Sequence, residues 1–405
     1  MPGFPLFTKC HAFFQLIGTL AAIATFVAAT PSASAASNVP GVTDDAITLG
    51  QSAAFTGPAA KLGEAMREGA LTYFEAVNAR GGVHGRQIRM VSVDDGYEPE
   101  RAVANTKRLI NEDKVFALFG YVGTPTSYAV LPVVTEAKIP YFAPFTGAQG
   151  LREPLNPYVF NIRASYFDET EQLVEWLLHK SKKKIAVFYQ DDSYGQAGLS
   201  GVNRAMDKRK LQLVATGTVK RNTVEVDEAV KTIRRARPDA VIMIGAYKAC
   251  AEFIKQTMLV GGDPVFMNVS FVGSEALAAE LGDLGGGVII SQVVPYYADP
   301  SYDVSMEFRA ALKQRAPDHK ASFNNLEGYI AAKAFVEGLQ RAGRDLTREK
   351  FKAALETFQR VNLGGVYISY SPKNHNGSDA VLLTVIVNGQ GSFAPFWGEK
   401  RAAAK

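Results

Sequence analysis

A chain of 405 residues, 47% apolar and 21% charged, has ample material for a buried core and does not have the composition of a disordered or membrane-embedded protein. Its 44 basic and 40 acidic residues leave a formal charge of +4, and the densest basic run is only Lys182, Lys183 and Lys184, so nothing supports a nucleic-acid partner. At about 100–200 residues per domain, two domains are expected.

The N-terminus reads differently from the rest. Lys9 is followed by an acid-free apolar stretch from Ala12 to Ala29 and then by the small residues from Pro31 to Ala36. That is the pattern of a secretory signal, with Ala33, Ser34 and Ala35 as the cleavage site and residues 1–35 removed. An anchor helix is the alternative, since the stretch approaches the length that spans a bilayer. The small-residue run, with no basic cluster after it, favours cleavage. Cys10 lacks the apolar and small residues that precede a lipid-modified cysteine. After cleavage Cys250 alone remains, so no intramolecular disulfide supports this exported chain. Cys250 opens a helix after a strand, where a small buried side chain is expected.

From Ile47 onward, β-branched runs alternate with helical patterns. Ile47–Leu49, Ile88–Val93, Val115–Phe119 and Ile139–Phe142 are predicted strands. Between the first two, Met66, Ala70, Tyr73, Phe74 and Val77 share one face of a helix that Gly81 and Gly82 end. After the turn-rich stretch Glu153–Pro157, Val159–Arg163 reads as an extended connection. The alternation then resumes at Ile185–Tyr189, Leu211–Val214, Ala240–Ile244 and Val265–Met267, with about 30 residues per βα unit. The apolar run Gly287–Pro295 is placed to carry the chain back. Two similar α/β halves with parallel sheets follow, joined by several crossings that make a hinge and a cleft.

Catalytic and metal signatures are missing. There is no GxxxxGK loop, no GxGxxG after a strand, no HExxH and no GxSxG. His84 lies in a turn, His179 ends a helix beside Lys180, and His375 sits in another turn; no His or Cys pair has metal-ligand spacing. An enzyme is therefore the least supported class, and no cofactor is called for. What the chain does carry is three Gly, Thr, Ser and Pro turns at successive strand ends: Phe55–Pro58, Gly120–Thr126 and Ala143–Ala148. Backbone N–H groups and hydroxyls at such ends hold carboxylates and other small polar groups.

These residues resemble the branched-chain amino acid binding proteins, the leucine/isoleucine/valine type of periplasmic binding protein. Phe55–Pro58 is similar to that family's first turn, Gly81–Arg86 to its Gly-Gly-x-x-Gly turn, and Asp94 and Asp95 to its paired acids. Tyr189–Gly195 and Gly245–Tyr247 resemble its two tyrosine loops. The resemblance implies two Rossmann-like lobes with parallel sheets and a three-crossover hinge. Lobe 1 would hold 43–165 plus 293–362, and lobe 2 would hold 166–292 plus 363–400. It further implies a periplasmic substrate-binding protein of an ABC transporter, a monomer whose partners are a small-molecule ligand and an inner-membrane permease. A sensing receptor for a membrane signalling partner is the alternative.

Carried residue by residue, the resemblance places a ligand carboxylate on Thr124, Phe145 and Gly147, with Thr146 adjacent, and closes Tyr194 and Tyr247 over it from the other lobe. Its ammonium-pairing acid aligns with Ser270, which has no charge to offer; Glu275 or Asp168 would have to compensate. Leu62 stands where a branched-chain binder has tyrosine, and the bulky Phe145 where it has a small residue. Tyr97 and Gly123 replace the family's disulfide pair. The implied ligand is an organic or aromatic carboxylate, or a modified amino acid, at least as readily as leucine.

Overall fold

The computed structural model describes residues 39–388 and 392–397; the signal segment expected over residues 1–35 lies outside them. In the first part of the chain β1 (Ala46–Ala53), α1 (Ala60–Asn78), β2 (Gln87–Asp94), α2 (Pro99–Asn111), β3 (Ala117–Phe119), α3 (Thr124–Glu136), β4 (Tyr141–Phe142) and β5 (Val159–Phe160) alternate. The five strands form one parallel sheet in the order β2-β1-β3-β4-β5. Seven of the eight β1 residues are buried, because helices cover both faces of a parallel sheet. On α1, Met66, Ala70, Phe74 and Val77 are buried as their spacing requires. Gly81 and Gly82, at φ +96° and +73°, then reverse the chain, and the Gly82 N–H donates to the Val77 carbonyl at 3.1 Å.

The chain passes through residues 161–165 into α4 (Tyr166–His179), β6 (Ile185–Gln190), α5 (Ser193–Asp207), β7 (Ala215–Val219), α6 (Asp227–Ala236), β8 (Ala240–Ile244), α7 (Tyr247–Leu259), β9 (Val265–Asn268), α8 (Ser274–Leu281) and β10 (Ile289–Gln292). It returns through α9 (Asp303–Arg315), α10 (Phe323–Ala342), α11 (Arg348–Leu355) and the small hairpin of β11 (Val361–Asn362) and β12 (Tyr367–Ile368). It ends in β13 (Leu382–Asn388) and β14 (Ser392–Trp397). The second sheet runs β14-β13-β10-β9-β8-β6-β7, parallel from β10 to β7, with β13 and β14 antiparallel at its edge.

One predicted strand is displaced. Leu211–Val214 is apolar but carries no ladder: the Leu211 N–H closes α5 on Met206 O, and Val214 makes the first bond to Ile185 O. Parallel pairing starts only at Ala215, opposite Ala186. Leu211 and Leu213 instead pack against the core as the chain enters the strand.

Helix α10 brings the returning chain back against α1. Fifteen of its 20 residues are buried, the mark of a helix enclosed on all sides. It lies so close to α1 that a β-carbon on Gly69 would sit 1.7 Å from the Asn325 carbonyl oxygen, and one on Gly328 would sit 2.3 Å from that of Met66. The segment after β12 stays beside β5. Asn161 N–H donates to His375 O at 2.9 Å, Gly377 N–H to Asn161 O at 2.8 Å, and the His375 ring stacks on Phe160 at 3.8 Å. His375 is thus a buried ring held by Val159 O and Glu356, and burial lowers its pKa.

Candidate functional site

The carboxyl ends of the two sheets face each other. From the first sheet, the turn after β3 enters α3 through Gly123 at φ +104°, where a β-carbon would strike the Tyr97 ring at 2.1 Å. The two positions that would carry the family's disulfide are thus neighbours here, filled by a ring over a glycine. Gly123 places Thr124 in the first turn of α3, at the positive end of the helix dipole. The turn after β4 brings Thr146 to it: the hydroxyls of Thr124 and Thr146 lie 2.6 Å apart. Thr146 accepts from Ala148 N–H at 3.2 Å and donates to Tyr166 OH at 3.4 Å. Gly147 permits this approach, since its α-carbon faces the Tyr166 ring and the Tyr166 N–H donates to its carbonyl at 2.7 Å.

From the second sheet, Asp192 caps α5 by accepting Tyr194 N–H at 2.9 Å, and the buried Tyr194 hydroxyl donates to the Gly245 carbonyl at 3.5 Å. Tyr194 lies 4.6 Å from Phe271 and 5.5 Å from Tyr166, measured between ring centroids. Phe271 rides on the short 3-10 turn Ser270–Val272 and meets Phe145 at 5.4 Å and Tyr97 at 6.1 Å. Leu62 and Tyr247 close the next part of the cleft: a β-carbon on Gly273 would come within 2.7 Å of Leu62 and 3.7 Å of Tyr247. Thr124, Phe145, Thr146, Gly147 and Tyr194 therefore come together around Tyr166 and Phe271, with Leu62 and Tyr247 to one side.

The remaining expected residues are otherwise engaged. Asp168 closes a capping box on α4, accepting from Ser165 N–H at 3.0 Å and from its hydroxyl at 2.6 Å. Glu275 opens α8, accepts Phe323 N–H at 3.1 Å, and is pushed up to about 7 by burial. It borders a cavity of about 700 Å³ between α1, α8 and the start of α10, which Leu62 and Tyr247 also line. Ser270 N–H donates to Glu169 at 2.7 Å, while its hydroxyl meets Arg163.

That last contact introduces residues that the sequence did not single out. Arg163 is 1% exposed and sits 4.9 Å from the Phe145 ring centroid. Glu169 pairs with it at 3.1 Å and Glu327 at 3.5 Å. Burial alone would lower the Arg163 pKa, but the two carboxylates hold it above the usual value. Burial raises Glu327 to about 7 against the pull of Arg163. Among the described residues no group of three or more His, Cys, Asp or Glu side chains is placed to hold a metal ion.

The arrangement offers two hydroxyls at a helix N-terminus, an aromatic box and a buried arginine paired with carboxylates. The sequence profile of the periplasmic binding protein family matches residues 46–391. The chain belongs to that family. This periplasmic binding protein is similar over 92% of its length to the crystal structure of a possible leucine/isoleucine/valine-binding protein from Rhodopirellula baltica, at 34% identity, 99% coverage of that chain and a TM-score of 0.83. A substrate-binding periplasmic protein from Ralstonia solanacearum shares 30% identity over 86% of this chain and 100% of its own, with a TM-score of 0.82. Among curated sequences, the Leu/Ile/Val-binding protein homolog 7 of Brucella suis is 26% identical over 309 residues, 73% of this chain and 77% of its own. The expected α/β fold with parallel-dominated sheets is the fold of these relatives, which are named as binding proteins rather than enzymes. The protein is a periplasmic ligand-binding protein.

Proposed function

We propose that this protein is the substrate-binding component of an ABC uptake transporter, holding a small carboxylate-bearing ligand between its two sheets and presenting it to an inner-membrane permease. The observation that carries the reading is the pair of buried hydroxyls on Thr124, in the first turn of α3, and Thr146, in the turn after β4, which lie 2.6 Å apart beside the Tyr166 ring that packs on Tyr194. A carboxylate that accepts from two hydroxyls at a helix N-terminus is stabilised by both hydrogen bonds and dipole. Rings arriving from the opposite lobe add apolar contact that exists only once the lobes meet, and closure of this kind raises affinity. The signal segment, cleaved near Ala35, would bring the chain to the periplasm.

The ligand is an amino acid, an aromatic acid or another organic acid. Ser270 supplies no carboxylate, and both its polar groups are engaged by Arg163 and Glu169, so an α-ammonium group is not a requirement. Calorimetry of ligand-stripped protein with leucine, isoleucine and valine against benzoate-type and 2-oxo acids tests this. The expected result is one-to-one binding of a carboxylate that Thr124→Val weakens by about ten-fold or more, from the loss of a charge-assisted hydrogen bond. Tight and selective binding of leucine would overturn the relaxed amino requirement, and binding that Thr124→Val leaves intact would overturn the carboxylate site.

A further inference from the structure

Arg163 lies in the connection between the two sheets, on the floor of the cleft, with the Phe145 ring on one side and the Ser270 hydroxyl on the other. Its Nη2 is fully used by Glu169 Oε1 and Ser270 Oγ. Its Nε and Nη1 have no hydrogen-bond partner among the described residues, although both atoms are buried; Glu327 Oε1, at 3.5 Å from Nη1, neutralises charge without forming a hydrogen bond. Buried N–H groups left without an acceptor are costly, and those of a guanidinium more so than amides. Glu169 has no capacity to spare, since its other oxygen takes Ser270 N–H at 2.7 Å and the Ser291 hydroxyl at 2.6 Å.

On the reading of this cleft as the ligand site, we infer that Arg163 is a specificity-determining residue: its Nε and Nη1 edge receives an acceptor oxygen beside the ligand carboxylate and so selects 2-oxo acids over the matching α-amino acids. An oxo oxygen accepts from the guanidinium edge. An ammonium at the same carbon brings only donors to an edge that is itself made of donors. The planar, always-charged fork suits an acceptor oxygen in a way a lysine ammonium does not. The rings of Phe145, Phe271 and Tyr194 then enclose the rest of the ligand.

The test uses calorimetry on the ligand-stripped exported protein with two matched pairs, phenylpyruvate with phenylalanine and 4-methyl-2-oxopentanoate with leucine. The oxo member of at least one pair is expected to bind about ten-fold or more tightly than its amino partner. Arg163→Lys should remove that preference, and Ser270→Glu, which places a carboxylate on the Arg163 edge, should reverse it. If Arg163→Lys does not fold, Ser270→Glu decides alone. A wild-type preference for the amino acids, or binding of neither oxo acid, overturns the ligand class. A wild-type oxo preference that survives unchanged in the folded variants overturns the role of Arg163 while leaving the carboxylate site standing.

Discussion

Arg221 Nη2 donates to Glu98 Oε2 at 2.8 Å, tying the loop after β7 of the second sheet to the residue that precedes α2 of the first. Around this bond Asn222 reaches Glu98 at 2.7 Å and the Gly96 carbonyl at 3.1 Å, while Arg221 also holds Asp192 at 3.2 Å. Gln190 meets Tyr97 OH at 3.4 Å just inside. The bonds from Arg221, Asn222 and Gln190 to Glu98, Gly96 and Tyr97 join the two sheets at the edge of the cleft, while the Arg221–Asp192 pair lies on the second side alone. Glu98→Ala should therefore weaken ligand binding by about five-fold, from the loss of about 1 kcal/mol in a partly exposed, bridged pair. It should also increase the radius of gyration of the ligand-free protein in small-angle scattering, and high salt should shrink the difference from wild type. Unchanged affinity and scattering would show that the latch does not hold the closed form.

Gly69 tests the packing that supports the cleft. With a β-carbon there only 1.7 Å from the Asn325 carbonyl, Gly69→Ala forces backbone apart rather than turning a side chain. The expected cost is about 1–3 kcal/mol in denaturant unfolding, typical of overpacking. Wild-type stability would mean that α1 and α10 can separate freely.

The pH dependence of stability has a definite sign between pH 6.5 and about 8. Burial raises Glu275 and Glu327 from 4.5 to about 7, so the folded state holds their protons more tightly than the unfolded chain does, and their contribution is lost as pH rises through 7. His375 acts in the opposite direction, because its lowered pKa removes stability only as pH falls below the unfolded value of 6.5. The ligand-free protein should melt higher at pH 6.5 than at about pH 8, and Glu275→Gln should narrow that gap by raising the alkaline value. A variant with the same gap as wild type would remove Glu275 from the account.

Phe271 sets the width of the aromatic box. Removing its ring, which packs 4.6 Å from Tyr194 and 5.4 Å from Phe145, should shift relative affinity about ten-fold toward the bulkier of two aromatic acids, as expected when apolar volume is freed in a pocket. A competition assay with acids differing by one fused ring checks this, and an unchanged ratio would place Phe271 outside the ligand's reach.

The architecture was readable because its signals are local. Strand runs, helix faces and the turn at Gly81 and Gly82 depend on neighbours a few residues away, and so does the hydroxyl-bearing loop that ends in Thr126. The strand at Ala215–Val219 was displaced from its prediction because the ladder starts where Ala186 can pair, not where the side chains are most apolar. The floor of the site was hidden for a different reason. Arg163 gains its meaning from Glu169, Ser270, Ser291 and Glu327, the last 164 residues away by number, and no spacing rule links such partners. Phe271 was equally silent: a phenylalanine after a strand reads as core until Tyr97, Phe145 and Tyr194 are seen around it. Asp168 showed the converse, since an acid three residues after Ser165 carries a capping-box signature that accounts for it without a ligand.

The most direct measurement is the crystal structure of the protein with the tightest-binding acid from the calorimetric panel. The proposed site requires density between the two sheets, with a carboxylate oxygen within hydrogen-bond distance of the Thr124 and Thr146 hydroxyls and the Tyr194 ring over the ligand. Density outside the cleft, or a carboxylate turned away from Thr124 and Thr146, would contradict it.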